Sequence, residues 1–294
     1  MKFLSYLING ISLGSVYAII ALGYTMVYGI AKMLNFAHGD VIMVGAYAAF
    51  ACIMNASLPP YAAVLVAIVV CTVLGVLIET VAYRPLLSAA SSLAVLITAI
   101  GVSYFLQNVV LLIFGANAKS FQSVVSLPNL KLADGALNIS GVTIVTVISC
   151  ILIMLALTAF ISRTKTGQAM LAVSEDKGAA QLMGINVNGT IAVTFAIGSG
   201  LAAIAGVLLC SAYPSLSPYT GSMPGIKAFT AAVFGGIGSI PGAFLGGLLL
   251  GIIEILAKGY ISTELSDAIV FSVLIIILLV KPTGLLGRKM QEKV

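Results

Sequence analysis

Long runs of Ile, Leu, Val, Ala and Phe recur along this chain, with few charged residues inside them. A helix needs about 20 mostly apolar residues to cross a bilayer, and several runs here reach that length. Charged residues make up 8% of the chain, whereas a soluble globular chain carries about 25%. The sequence therefore predicts an all-α, polytopic transmembrane helical bundle, organised as one domain over residues 1–294.

The candidate spans are the apolar stretches that are long enough, or nearly long enough, to cross a lipid bilayer. They are Phe3–Ala31, Val41–Ala56, Tyr61–Tyr83, Leu93–Phe114, Val142–Ile161, Ile191–Ala212 and Leu265–Val280. As a helix, the first stretch would be about 43 Å long. It is therefore either one long span or a span that carries a re-entrant piece.

The lysine and arginine residues of the short connections indicate which side of the membrane each connection occupies. The set with more of them is assigned to the cytoplasm and contains Lys32, Arg84, Arg163, Lys165, Lys177, Lys281, Arg288, Lys289 and Lys293. The other set contains Lys2, Lys119, Lys131, Lys227 and Lys258. The net charge of +5 follows from these loops and does not indicate nucleic-acid binding.

The stretch Ile226–Ala257 is too long for one span, because a single helix of this length would extend about 48 Å. The polar segment before Ile191–Ala212 and the C-terminus are both assigned to the cytoplasm, and Ile191–Ala212 and Leu265–Val280 already supply two crossings between them, so this stretch must add no crossing or two. We therefore expect a hairpin of two shortened helices that breaks at Ser239–Pro241, with the break buried in protein or lining a water path. The alternative is one tilted helix with a proline kink. The expected hinge residues are Gly235, Gly236, Gly238, Pro241 and Gly242.

The polar segment Arg163–Asn188 separates two apolar runs and cannot lie in hydrocarbon. Thr166 is expected to cap a first short helix, and Ser174 a second, with Glu175 and Asp176 in its first turn. Gly184 occupies the position of a left-handed C-terminal cap.

The second short helix of the polar segment carries an apolar stripe. Ala179, Leu182 and Met183 share one face at helical spacing. Such a stripe suits docking into a groove on another protein. The alternative is a solvated loop that only joins two spans.

The motifs of enzymes and of ATP hydrolysis are missing from the sequence. There is no GxxxxGK[ST], no HExxH and no GxSxG, and the chain has one histidine. The four cysteines show no CxxC spacing. We therefore expect no catalytic activity, no metal site and no cofactor. No charged residue is predicted at the centre of a span, which argues against a proton-coupled carrier.

Uncharged polar residues do occur within the spans. Ser103, Gln107 and Asn108 lie in the middle to outer half of their span and either line a path for a polar solute or form interhelical hydrogen bonds. His38, between the first two spans, either titrates beside that path or has a structural role. Asp40 is expected to cap the second span.

Five stretches, taken in order, carry a resemblance to a known family. They are LNFAHGD (Leu34–Asp40), SYFLQN (Ser103–Asn108), AVSEDKGAAQLMGIN (Ala172–Asn186), GGIGSIPGAFLGG (Gly235–Gly247) and KPTGLLGR (Lys281–Arg288). The chain resembles the permease subunit of branched-chain amino-acid ABC importers, the LivH type, from Asn9 to Arg288. Lys281 departs from the arginine that is usual at its position.

The resemblance implies a bacterial cytoplasmic-membrane location and a set of partners. These are a second related permease subunit, two cytoplasmic ATP-binding subunits and an extracytoplasmic solute-binding protein. It also implies that the polar segment couples the permease to the ATPase, through Glu175, Asp176, Ala179, Leu182, Met183 and Gly184. The resemblance does not choose between a hetero- and a homodimeric pore.

Two other classes of protein remain open at this point. A stand-alone secondary carrier or channel also uses broken helices, but its expected buried charged pair is not predicted here. A membrane scaffold would have no need of buried polar faces. Leucine, isoleucine and valine are the default solutes of the family, with other amino acids, amides or urea as alternatives.

Overall fold

The computed structural model describes residues 2–87, 92–132 and 137–287. The helices within these ranges are α1 (Lys2–Ala31), α2 (His38–Met54), α3 (Pro60–Leu77), α4 (Arg84–Leu87), α5 (Ser92–Phe114), α6 (Gly141–Arg163), α7 (Lys165–Glu175), α8 (Lys177–Leu182), α9 (Val187–Ala212), α10 (Ser222–Gly235), α11 (Ile240–Tyr260) and α12 (Ser266–Val280). A π-helical segment, Ile78–Tyr83, joins α3 to α4.

Short strands occur in the connections around α5, α6 and α9. β1 (Lys119–Ser120) pairs antiparallel with β4 (Ser215–Leu216), which ties the segment after α5 to the segment after α9. β2 (Leu130–Leu132) pairs antiparallel with β3 (Leu137–Ile139).

The predicted helical membrane protein is confirmed. Six of the described helices are long and apolar enough to cross a membrane, and α2 and α12 are shorter apolar helices. The first predicted span is one continuous helix, Lys2–Ala31, and does not contain a re-entrant piece. The predicted cytoplasmic residues Arg288, Lys289 and Lys293 lie outside the described residues.

The centre of the bundle is formed by α1 and α9. α1 packs against α11, α9, α10 and α6, while α9 also packs against α3 and α2. Long stretches of both helices are buried. By contrast, α3, α5, α6 and α12 turn many large apolar side chains outward, as helices that face lipid do.

Helix α2 begins inside the bundle and not at the end of α1. The imidazole of His38 lies against Gly23, roughly two helical turns, or about 12 Å, before the end of α1. The expected cap by Asp40 is wrong. Asp40 lies within the first turn of α2, whose N-cap is Ala37 and has no side-chain hydrogen bond. A backbone hydrogen bond stabilises the start of the helix: the His38 N–H donates to the Asn35 carbonyl oxygen at 3.2 Å, within the turn that precedes α2.

The first turn of α10 meets the first turn of α2. A Cβ atom on Gly39 would lie 2.8 Å from the Gly221 carbonyl oxygen, and one on Gly225 would lie 2.8 Å from the Gly39 Cα. Glycine is therefore required on both sides of this crossing. Two helices that start within the bundle thus touch at their N-terminal ends, an arrangement typical of discontinuous helices in transporters.

The glycine-rich stretch does break into two helices, but the break is earlier than expected. Gly236 (φ 105°) and Gly238 (φ 92°) adopt left-handed backbone between α10 and α11. The expected placement of Pro241 and Gly242 in the break is wrong, because both lie in the first turn of α11, which Ser239 caps through the Gly242 N–H at 3.2 Å. The expectation of two shortened helices is also wrong for α11, which has 21 residues.

The C-terminal segment covers this break. The N–H groups of Leu285 and Leu286 donate to the carbonyl oxygens of Phe234 and Gly235, both at 2.9 Å. These bonds satisfy carbonyls at the end of α10 that have no partner within the helix. The irregular backbone around Gly236 is therefore held by protein, as backbone at membrane depth must be.

A buried cluster of charged side chains joins four helices. Glu254 of α11 pairs with Lys227 of α10 at 2.8 Å and with Lys258 at 2.6 Å, and it accepts a hydrogen bond from Tyr17 of α1 at 2.9 Å. Lys227 also pairs with Asp267 of α12 at 2.6 Å. The assignment of Lys227 to an outer connection is wrong: it lies inside α10 and is buried.

We predict that Gly225→Ala destabilises the bundle, because its methyl group would push α10 away from the backbone of α2. Gly101→Ala on α5 is the matched control. A Cβ there meets no atom within 4 Å, so this change should stabilise the protein by about 0.5–1 kcal/mol through helix propensity alone. Thermal unfolding in detergent measures both, and equal shifts for the two variants would contradict the close crossing.

We also predict that Glu254→Gln destabilises the fold, since it leaves two lysine ammonium groups beside each other without their shared carboxylate. Removing one partner of a buried ion pair costs about 3–5 kcal/mol. Glu264→Gln, in the exposed connection before α12, is the control and should leave the thermal unfolding curve unchanged. A wild-type curve for Glu254→Gln would show that the cluster contributes nothing to stability.

Candidate functional site

The polar segment folds into α7 and α8, and its first cap differs from the expected one. The hydroxyl of Thr164 accepts a hydrogen bond from the Gly167 N–H at 3.0 Å, which makes Thr164 the N-cap of α7. Thr166, the expected cap, lies within the helix. The difference arises because Thr164 has the extended backbone that a cap needs and directly follows α6.

The second cap is also displaced by two residues. Asp176 has an extended backbone, and its carboxylate accepts a hydrogen bond from the Ala179 N–H at 3.0 Å, so it caps α8. Ser174, the expected cap, lies inside α7 and donates to the Leu171 carbonyl at 2.6 Å. Glu175 is the last residue of α7 and is not in the first turn of α8. A carboxylate at the start of α8 still complements the helix dipole.

The end of α8 has the geometry that the sequence indicates. Gly184 adopts φ 82°. Its N–H donates to the Gln181 carbonyl at 3.0 Å, and the Ile185 N–H donates to the Ala180 carbonyl at 3.0 Å. This is a left-handed C-terminal cap, which fixes the direction in which the chain leaves α8 for α9.

The two faces of the polar segment differ sharply in exposure. Met170, Val173 and Ala180 are buried, with α7 packed against α6, α1 and α9. Leu182 is 90% exposed and Met183 is 82% exposed. Ala179 is exposed as well, so the predicted apolar stripe points away from the bundle. We define Ala179, Leu182 and Met183 as the docking face.

The first residue of α8 is bonded to the end of α1. The ammonium of Lys177 donates to the Ala31 carbonyl oxygen at 2.9 Å. Burial and, secondarily, the neighbouring charge of Lys32 lower the pKa of Lys177. Sequence reasoning identified Lys177 only as a cytoplasmic charge, because the two residues are far apart in the chain and no local pattern signals their contact.

Two of the expected path residues take part in contacts between helices. The amide nitrogen of Gln107 donates to the Asp40 carboxylate at 2.9 Å and to the Ser103 hydroxyl at 3.4 Å. Gln107 and Asp40 are buried. This geometry is an interhelical hydrogen bond between α5 and α2, so the polar residues at this depth join helices in the described conformation.

The other two expected path residues have different surroundings. His38 is buried, its ring is 4.5 Å from that of Tyr24, and its Nε2 has no hydrogen-bond partner among the described residues. Asn108 is exposed on α5 and donates to the Tyr104 carbonyl at 2.7 Å. A small cavity beside Tyr24 is also lined by Asn35 and Phe229, but by none of the four expected path residues. Their role in a solute path stays a prediction.

Comparisons with known proteins agree with this architecture. The chain matches, over residues 6–278, the family described as branched-chain amino acid transport system, permease component. It is 47% identical to the high-affinity branched-chain amino acid transport system permease protein LivH of Salmonella typhimurium, over 100% of this chain and 98% of that protein. It is 46% identical to the permease protein BraD of Pseudomonas aeruginosa, over 99% and 98%.

More distant similarities extend the comparison. A probable branched-chain amino acid transport permease protein LivH of Methanocaldococcus jannaschii is 30% identical over 92% of this chain and 88% of that protein. The solved structure of PsaBC from Streptococcus pneumoniae in complex with Fab shares the fold, with a TM-score of 0.50 at 14% identity, over 96% of this chain and 93% of that chain. The chain therefore belongs to the family of permease components of branched-chain amino acid transport systems.

Proposed function

We propose that this chain is the permease subunit of an ATP-driven importer for leucine, isoleucine, valine or related amino acids in a bacterial cytoplasmic membrane. Its partners in the proposal are a second related permease subunit, two cytoplasmic ATP-binding subunits and an extracytoplasmic solute-binding protein. Support comes from the full-length relatives, whose names specify branched-chain amino acid transport.

The docking face is the single observation that carries the proposed link to an ATPase. Leu182 and Met183 are almost fully exposed on a short helix whose other side is anchored in the bundle. Large apolar side chains at such exposure are characteristic of a helix that inserts into a groove on a partner. The acidic residues Glu175 and Asp176 lie at the junction of α7 and α8, where they present negative charge beside the docking face.

The proposed mechanism separates the source of energy from the path of the solute. ATP-driven closure of the partner subunits displaces α8 through the docking face. The rigid contacts of α7 with α6, α1 and α9 pass that displacement to the bundle. Alternate packing of the long helices then exposes the solute path outward and inward, while the chain itself hydrolyses nothing.

We propose that Asn108 is the path residue that faces the second permease subunit. Its side chain is exposed on the outer half of α5, and its amide nitrogen donates to the Tyr104 carbonyl of the same helix. An amide in that position is available to a polar solute at a subunit interface. In this proposal Ser103, Gln107 and His38 support the helices beside the path, and Gln107 does so through its hydrogen bond to Asp40 of α2.

A stand-alone carrier is the second candidate, and one observation favours it. Glu254 and Lys227 are buried inside the bundle, and Asp40 is buried beside Gln107. Buried ionisable groups of this kind occur in ion-coupled carriers. However, Glu254 is already shared by Lys227, Lys258 and Tyr17. An ion-coupled transport cycle would have to break these contacts, so an ATP-driven importer explains the cluster better than an ion-coupled carrier does.

We predict that Leu182→Asp abolishes ATP-dependent uptake, because a carboxylate on the docking face cannot be desolvated in an apolar groove. Ala179→Asp on the same face should have the same effect. The measurement is uptake of radiolabelled leucine by proteoliposomes containing the complete complex, together with co-purification of the ATP-binding subunits.

The control for these variants is Asn188→Asp, which adds the same charge at an exposed position at the start of α9. It should leave uptake and co-purification unchanged, and all three variants should insert into the membrane normally. Wild-type uptake in both docking-face variants would contradict the proposed coupling role.

A further inference from the structure

The contact between Lys177 and Ala31 joins two parts of the chain that have different roles. Lys177 is the first residue of α8, which carries the docking face, and Ala31 is the last residue of α1. The ammonium-to-carbonyl distance is 2.9 Å. The last carbonyls of a helix lack partners within it and carry the negative end of its dipole, so a lysine ammonium is well matched to this position.

The end of α1 is held in a defined geometry at this contact. Lys32, the next residue, adopts φ 57°, which is uncommon for a residue other than glycine. Its N–H donates to the Tyr28 carbonyl at 3.0 Å. The Lys32 side chain is exposed, whereas that of Lys177 is partly buried over the helix end. The sharp turn at Lys32 thus leaves the Ala31 carbonyl open to α8.

Helix α1 reaches from this contact to the buried charge cluster near the other end of the bundle. It packs along α11, and glycines of both helices allow the close approach, with a Cβ on Gly10 2.8 Å from the Ile252 Cα. Tyr17 of α1 then donates to Glu254 at 2.9 Å. A displacement of the inner end of α1 therefore bears directly on the contact between Glu254 of α11 and Lys227 of α10.

We propose that Lys177 is a positioning residue through which motion of the docking helix α8 is transferred to α1, and through α1 to the charge cluster at Glu254. This inference rests on the proposed function, because it presumes that an ATPase moves α8. It adds that a side chain outside the docking face bonds α8 to the central helix of the bundle.

The test uses Lys177→Met in the complete complex, because methionine keeps an unbranched apolar side chain but removes the ammonium. The measured quantities are retention of the ATP-binding subunits, the rate of ATP hydrolysis and the amount of leucine taken up per ATP hydrolysed. We expect retention to match wild type and uptake per ATP to fall roughly fivefold or more, a typical size for a lost coupling contact. Lys177→Arg, which keeps a cationic donor, should restore most of the coupling.

Lys165→Met is the matched control, since Lys165 is an exposed lysine at the start of α7. It should leave uptake per ATP unchanged. If Lys177→Met itself does not insert into the membrane, Lys177→Gln gives the same comparison, because its shorter side chain cannot reach the Ala31 carbonyl in the same geometry.

Several outcomes would overturn the inference. Unchanged uptake per ATP in Lys177→Met would show that α8 drives the bundle through other contacts. Loss of the ATP-binding subunits would place Lys177 in the docking surface. An equal loss in Lys177→Arg would exclude a role of the cationic donor. The proposed function fails differently: wild-type protein would then retain no ATP-binding subunits.

Discussion

Every backbone N–H and C=O group at membrane depth has to find a partner within the protein, because hydrocarbon offers none. Continuous helices meet this requirement on their own, but this chain also places irregular backbone inside the bundle. The turn before His38 and the break at Gly236 are both covered by protein. Glycines allow the neighbouring segments to come close enough to cover this backbone. The N–H groups of Leu285 and Leu286 then satisfy the carbonyl oxygens at the end of α10.

Much of the fold follows from the sequence, since apolar runs of sufficient length fix where helices lie. The caps of the polar segment were missed by two residues each. Thr164 and Asp176 compete with Thr166 and Ser174 as good capping residues, and only the direction of the preceding helix decides between them. The break before α11 was misplaced because proline, which was expected to mark it, is also well suited to the first turn of a helix.

The contacts that the sequence could not supply are those between distant side chains. Helical spacing predicts the stripe of Ala179, Leu182 and Met183, and all three side chains are exposed in the structure. The sequence leaves the role of Gln107 open between a solute path and an interhelical hydrogen bond, and it gives no sign that Asp40 is the partner. The sharing of Glu254 by Lys227 and Tyr17 had no local signal, because each partner comes from a different helix.

Two regions of the bundle differ in the chemistry of their side chains, and one helix contacts both. One region carries a short helix with an exposed apolar face, and another holds a cluster of two lysines and two carboxylates. Helix α1 contacts both regions, through Ala31 at one end and Tyr17 further along. In the proposed function, α1 passes motion between these two regions while the ATP-binding subunits supply the energy.

The central claim is therefore that this permease moves solute only when an attached ATPase drives it. Its most direct test is leucine uptake by proteoliposomes that contain either this chain alone or the complete complex with its binding protein, each with and without ATP and with an imposed proton gradient. The account predicts uptake only by the complete complex with ATP. Concentrative uptake by this chain alone, driven by the proton gradient, would contradict it.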